Sequence, residues 1–449
     1  MPTLLGSTLT ASKETTSNTT DKINDIAVGT AGNRCLIIFT VTEVQAKTAN
    51  DWGWIGPRVD TSEGPLGNTQ IGRVESNQAA GGADNAGGGF AYTAAPDTDI
   101  HLSHDVDLTG ELHIRNAQLS VWDIEDIYAD ATQFVEDTDT VGGTSTTSYV
   151  EKASVEVTPN ETGEKWLILG SYSATLIANG LLGTKISNTG GDLAEVTYSK
   201  NSGTGSATDY AQLCGYVWTA PDTSAETFSL SADSNGTSST YLGGSLIAVR
   251  LTSLSANFAS VVDVTRYETA SALAEELITG SDTVLTPSGD NDVWLLGLGY
   301  HDLVAGGGTA NLWWSADSNT STIPATLTQA APGYTGNNAA DIPAVMAMGL
   351  VTAPTGEQTY QLYSVASDAA DAFEISMALA LEVDGGSTPA QSSVSLQGDV
   401  SPQYIAALAA AAAVTPTSGE IVGKLNEIGG TSGLELEAAK AAAETAAGL

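Results

Sequence analysis

The chain has 449 residues, with 53 acidic against 15 basic side chains and a net charge of −38. Phosphate contacts need clustered Lys and Arg, and an anionic membrane surface repels a polyanion, so nucleic-acid binding and membrane adsorption are excluded. A hydrophobic fraction of 41% permits sizeable cores, and 48 glycines among many Thr, Ser and Ala point to short strands joined by many turns.

From the N-terminus, MPTLLGSTLTASKETT lacks the basic segment and long apolar run of a signal peptide, and no apolar stretch in the chain reaches 18 residues. The expectation is an unprocessed start and no membrane insertion. A turn, VGTAGNR, leads into the apolar strand CLIIFTV at Cys35; DWGWIGPR follows, with Trp52 and Trp54. AYTAAPDTDIHLS then gives a strand, a turn at Pro96 and an alternating strand, and NAQLSVWDI closes the passage with another apolar strand.

The same order then repeats. VTPNETGEK precedes WLILGSY at Trp166; YVWTAPDTSAETFSLS carries Pro221; GSLIAVRL closes. LTPSGDNDV precedes WLLGLGY at Trp294; LVTAPTGEQTYQLY carries Pro354; ISMALALEV closes. Cys35, Trp166 and Trp294 serve as one set of anchors and Pro96, Pro221 and Pro354 as another, each spaced by about 130 residues, long enough for each repeat to bury its own core. WLILGSYS is continuously apolar, as in a strand covered on both faces, whereas in ETFSLSADS the residues Phe228 and Leu230 share one face. Turn residues recur every few positions, and the proline of each anchor phrase ends a strand because it removes a ladder donor. The fold class is all-β: three tandem antiparallel β-sandwiches, jelly-roll-like, over 1–125, 126–253 and 254–385. YETASALAEELITG, residues 267–280, fits either a short helix or an unusual strand.

Residues 386–449 differ. A Gly/Ser/Pro linker leads to a short helical C-terminal tail: Ser401-Pro402 opens one helix, Ile421, Leu425 and Ile428 share a face of a second, and Ser432 with Glu435 forms a capping box beside Leu434 in a third. Such short helices need their apolar stripes covered, so Ile421, Leu425, Ile428 and Leu434 are expected to dock.

No catalytic set emerges, and the chain is expected not to be an enzyme. His101 and His104 fall on opposite faces of a strand and cannot share a metal; with His113 and His301 they read as solvated or turn residues. No metal or cofactor site is expected. The turns DSNG at 233 and DSNT at 317 leave calcium open, although they lack the later Glu of a calcium loop. Cys35 and Cys214 sit among apolar residues as free buried thiols. NLWWS sets Trp313 beside Trp314, so that on a strand one indole faces the core and the other faces out. Trp52, Trp54, Trp313 and Trp314 are the candidate contacts to a partner chain or a glycan.

Tandem jelly-roll repeats, an acidic surface, the unprocessed start and a small tail together resemble virion structural proteins of tailed viruses: head fibres, turrets, decoration proteins and tail-fibre subunits. The resemblance is one of architecture over residues 1–385. It implies a symmetric homo-oligomer, a trimer or pentamer, in a virion assembled in the host cytoplasm, touching other virion proteins and host glycans. The excess of acids and scarcity of Lys also fit a high-salt, halophilic source. A carbohydrate-binding adhesin or surface-layer protein of a cell is the alternative.

Overall fold

The apolar runs that begin near Cys35, Trp166 and Val293 become long inner strands with a buried face on either side, and a sandwich is built around each. A computed structural model describes residues 2–14, 21–46, 53–58, 74–76, 85–94, 99–106, 112–139, 148–176, 181–200, 208–233, 240–268, 276–288, 291–302, 310–316, 329–330, 344–352, 356–366 and 372–383.

The first sandwich contains β1 (Thr3–Glu14), β2 (Asp21–Ala27), β3 (Arg34–Ala46), β4 (Gly53–Arg58), β5 (Val74–Ser76), β6 (Asn85–Ala94), β7 (Asp99–Val106) and β8 (Leu112–Asp123). They form two antiparallel sheets, β1-β8-β3-β6 and β2-β7-β4-β5. After a one-turn helix, α1 (Glu125–Tyr128), come β9 (Phe134–Asp139), β10 (Val150–Val157), β11 (Lys165–Leu176), β12 (Leu181–Asn188), β13 (Gly191–Lys200), β14 (Thr208–Thr219), β15 (Glu226–Asp233) and β16 (Thr240–Arg250). Their sheets are β9-β16-β11-β14 and β10-β15-β12-β13, the same order. A second one-turn helix, α2 (Leu251–Leu254), leads to β17 (Phe258–Glu268), β18 (Glu276–Leu277), β19 (Thr283–Leu285), β20 (Asp292–Asp302), β21 (Ala310–Ala316), β22 (Gln329–Ala330), β23 (Ala344–Thr352), β24 (Gln358–Ala366) and β25 (Ala372–Val383). These give β17-β25-β20-β23 and β18-β24-β21-β22, with β19 also on β24. First strand beside last, third beside sixth, is jelly-roll order, and it occurs three times.

Each sandwich encloses its own core. Ile26, Ile37, Phe39, Leu102 and Leu119 fill the first, Trp166, Ile168, Phe228 and Leu230 the second, and Val293, Leu295, Trp314 and Leu362 the third. The alternate residues of the inner strands face away from these cores and meet in a fourth. Leu36, Ile38, Phe90 and Trp122 from the first sandwich, Leu167, Leu169, Val217 and Val249 from the second, and Trp294, Leu296, Met377 and Leu381 from the third form one buried cluster. The contacts close a ring, since β14 touches both β6 and β25 and β23 touches β6. Three sheets thus share a threefold-like core within residues Met1–Gly386, which form one body; Ser387–Leu449 form another.

The strand register corrects one anchor set. Leu36 pairs with Trp122, Leu167 with Val249 and Trp294 with Leu381. Trp294 is therefore the counterpart of Leu167, and Trp166 that of Cys35 and Val293. A one-residue slip reverses the face a side chain occupies, so Trp166 lies in its sandwich core while Trp294 lies in the shared core. The proline anchors need no shift: Arg34, Lys165 and Asp292 pair with Ala94, Thr219 and Thr352, each two residues before its proline. Of residues 267–280, Tyr267 and Glu268 end β17, Glu276 and Leu277 form β18 on β24, and the Ile278 N–H donates to Leu362 O at 2.9 Å, while 269–275 lie outside the described residues.

Candidate functional site

The most distinctive geometry lies at the seams where the inner sheets meet. Trp294 is fully enclosed; its ring packs edge-on against Trp122 with centroids 5.3 Å apart, and its indole N–H donates to Ser120 Oγ at 3.1 Å. Ser120 in turn donates to Ser7 Oγ at 2.8 Å, so a short polar chain from the first sandwich receives a tryptophan of the third. Between second and third sandwiches, Lys165 Nζ donates to Ser260 Oγ at 2.9 Å and the Tyr216 hydroxyl to Asp263 at 2.9 Å. Gly215 on β14 lies directly under Leu298 of β20, and any Cβ there would clash with that side chain.

The linkers belong to the same feature. α1 sends Ile127 inward, after Ile124, and α2 sends in Leu251 and Leu254, all four into the shared core. Sequence reasoning missed them, although the signal was present: an apolar residue recurs three positions on, as DIEDI and RLTSL, directly after the closing strand of each of the first two repeats.

Acids close the same end of the fold. Asp123 accepts from Asn33 Nδ2 at 2.7 Å and from the Glu125 N–H at 3.0 Å. Its counterpart Glu382 accepts from Ser288 N–H at 2.8 Å, Ser288 Oγ at 2.5 Å and Asn291 Nδ2 at 2.6 Å, with Asn257 Nδ2 on its other oxygen. Burial pushes the Glu382 carboxyl up, but the donors from Ser288, Asn291 and Asn257 outweigh it and hold the pKa at about 2. These carboxylates clamp the loops ahead of β3 and β20 onto the ends of β8 and β25. Glu136 on β9 is the opposite case: burial raises its carboxyl to about 7 against the pull of Arg34, with Asp137 adding to the rise, and the Tyr128 hydroxyl donates to it at 2.8 Å.

Trp314 lies in the third sandwich core and its indole donates to Ala347 O at 3.2 Å. Trp313 occupies the other face of β21 and stacks on Tyr363 at 6.1 Å, yet it too is completely enclosed. The alternation expected for this pair is present, but neither indole is open to solvent. Trp54 falls on β4 between Glu75 and Asp105, and Trp52 lies outside the described residues, as do Ile421, Leu425, Ile428 and Leu434. His101 was expected to be solvated or in a turn; it lies on β7 and is 1% exposed. Among the described residues no group of His, Cys, Asp and Glu is disposed to hold a metal ion. Cys35 and Cys214 are buried free thiols, and burial together with Asp123 and Glu125 raises the Cys35 thiol to about 12.

No family model and no curated protein matches the chain. Solved structures similar to it include that of Sulfolobus Turreted Icosahedral Virus, at 11% identity over 80% of this chain and 84% of that one, TM-score 0.19. Infectious Bursal Virus derived T=1 particles give 8% identity over 85% and 80%, TM-score 0.21. The tandem CBM22 domains of Paenibacillus barcinonensis Xyn10C give 11% identity over 56% and 94%, TM-score 0.17. Scores of this size lie below the level at which two chains share a fold, so no functional argument passes from these structures to this chain.

Proposed function

We propose that the chain is a non-enzymatic structural protein of a virus particle, of the turret, fibre, decoration or tail-fibre kind, which assembles with copies of itself and with other virion proteins. One observation carries the reading: three jelly rolls of one strand order are fused through a common apolar core. Each inner sheet is gripped on both faces, which makes a rigid block from a single chain. The polar groups at the seams are engaged in holding loops and sheets together, as the donors around Glu382 and Ser120 illustrate. On the outer face of the block, the exposed or half-exposed Glu151, Ser154, Glu156 and Thr227 keep the outer sheet of the second sandwich polar, in keeping with a strongly acidic soluble surface. In this reading a contact with a partner chain or a host glycan falls to the Trp52 and Trp54 region, because Trp313 and Trp314 are enclosed.

The fused block also narrows the expected symmetry. Faces through which three separate jelly rolls would form a trimer are already joined within one chain, so oligomers of this protein must use other surfaces, and a ring such as a pentamer is favoured over a trimer built through the inner sheets. Light scattering on the full chain over a range of concentrations, with negative-stain imaging of the product, tests this. A closed symmetric oligomer is expected. A monomer at every concentration, under both low and high salt, would remove the self-assembly.

A further inference from the structure

The turns that lead into β3, β11 and β20 occupy equivalent places and are fastened differently. In the first, Asn33 Nδ2 donates to Asp123; in the third, Ser288 and Asn291 donate to Glu382. Asp123, Arg250 and Glu382 are equivalent by register, since they pair with Cys35, Trp166 and Val293. The second repeat thus has a cation where the other two have the acid, and Arg250 Nε donates to Ser253 Oγ of α2 at 3.0 Å. Its turn, VTPNETGEK, is held through the backbone instead. The Asn160 N–H donates to Glu164 Oε2 at 3.1 Å, the Gly163 N–H to Ala220 O at 2.8 Å and the Ala220 N–H to Glu164 O at 2.8 Å. Gly163 has φ of 85°, and the space a side chain would take there is open. Asn160, Glu161, Thr162 and Gly163 are all exposed, and neither the Asn160 amide nor the Thr162 hydroxyl has a hydrogen-bond partner among the described residues.

We propose that Asn160 is a glycosylation site, at which a transferase joins a sugar from a glycosyl diphosphate to the side-chain amide nitrogen. Asn160-Glu161-Thr162 is an Asn-x-Thr acceptor sequence with no proline at its centre. Such sequences also start at Asn18, Asn235 and Asn319, which lie outside the described residues. In the transfer, the bond from the anomeric carbon to the diphosphate oxygen breaks and its electron pair leaves on the diphosphate. A bond from Asn160 Nδ2 to that carbon forms, and Nδ2 gives up one proton to a base of the transferase. The turn suits this reaction because its fixed backbone carries a free amide and a free hydroxyl outward together. The open space beside Gly163 leaves room for a bulky, polar adduct. Donors carried on a nucleotide and donors carried on a polyprenyl lipid share this chemistry.

The folded full chain is offered, in one arm, a nucleotide-diphosphate sugar with an asparagine glycosyltransferase and, in the other, a polyprenyl-diphosphate oligosaccharide with an oligosaccharyltransferase. Peptide mapping by mass spectrometry locates the added mass. Sugar on Asn160 is expected in at least one arm, and the arm that yields it identifies the carrier. Asn160→Gln and Thr162→Ala should lose it, whereas Thr162→Ser, which keeps the hydroxyl, should retain it. Both positions are exposed, so the circular dichroism and urea midpoint of each variant should match those of the parent. An unmodified Asn160 in both arms overturns the proposal, whatever is found at other asparagines or on a free peptide of residues 156–166. So does sugar on Asn160 that survives Thr162→Ala, because the acceptor sequence would then not be what the enzyme reads.

Discussion

Trp294→Ala tests whether the shared core couples the three sandwiches. The side chain is 1% exposed, and emptying a site of this kind costs roughly 3–5 kcal/mol. Part of that loss crosses a seam. The edge-on ring pair with Trp122 contributes roughly 0.5–1.5 kcal/mol beyond area. The hydrogen bond to Ser120 contributes about 1 kcal/mol net. Double-mutant cycles separate them: Trp294→Ala with Trp122→Ala measures the ring pair, and Trp294→Phe with Ser120→Ala measures the hydrogen bond, for an expected total coupling of about 1.5–2.5 kcal/mol. Urea unfolding of the full chain, followed by far-ultraviolet circular dichroism, supplies the free energies. Because the emptied site belongs to all three sandwiches, the midpoint of one cooperative transition should fall with its slope unchanged. Coupling within about 0.3 kcal/mol of zero, the ordinary error of additivity, would refute the argument, as would a separate early transition for the third sandwich alone.

Three further outcomes follow from the same geometry. Gly215→Ala drives a methyl group into Leu298 across the seam between second and third sandwiches and should destabilise by about 1–3 kcal/mol in the same urea assay, as overpacking does. Glu382→Gln removes a carboxylate whose folded pKa is lowered to about 2, so the stability that Glu382 contributes is present above the unfolded value near 4.5 and disappears as pH falls through 2. The variant should lie about 1–2 kcal/mol below the parent at pH 7, a figure reduced from the full linkage value for solvent screening, and converge with it near pH 2 in thermal melts. Glu136 behaves in the reverse sense: its folded pKa is raised to about 7, so its favourable contribution is complete below about 4.5 and is lost as pH rises through 7. Glu136→Gln should therefore be more stable than the parent by about 1 kcal/mol at pH 8, discounted because the group is half-exposed, with no advantage at pH 4.

The all-β class, the jelly-roll character and the twofold burial of WLILGSY were legible because they are local: alternation, turn residues and a proline that ends a strand act within a few positions. What was not legible depended on pairing partners. Trp166 and Trp294 align by eye, but the ladders place them one step apart and so on opposite faces. His101 sits in DIHLSHDVD, which reads as a polar strand, yet it is enclosed. Trp313 illustrates the same limit, since alternation sets which face it occupies and says nothing of what covers that face. The acid at the end of the closing strand was hidden for another reason: among 53 acidic residues, Glu382 is distinguished only by donors drawn from two separate segments, at Asn257 and at Ser288 with Asn291.

The residues at the shared core also explain why one long chain serves better than three short ones. In a trimer of identical subunits every residue near the axis occurs three times, so a tryptophan placed there must pack beside two copies of itself. Here the equivalent positions hold Leu36, Leu167 and Trp294 on one strand and Trp122, Val249 and Leu381 on its neighbour. Trp294 projects toward Ser120, the smallest residue of the set whose other members are Ile247 and Leu379. Large meets small across that seam, and a close-packed core results without threefold identity. The first strands show the same freedom: Leu4 stands where the other two repeats have Phe134 and Phe258, and an open cavity of about 300 Å³ lies beside it. Leu4→Phe, the residue type of the other two repeats, should raise the urea midpoint, because it fills part of this cavity with apolar surface at about 25 cal/mol per Å² buried. A fall in the midpoint would mean that the cavity does not accept the larger ring, and the equivalence drawn between Leu4, Phe134 and Phe258 would fail with it.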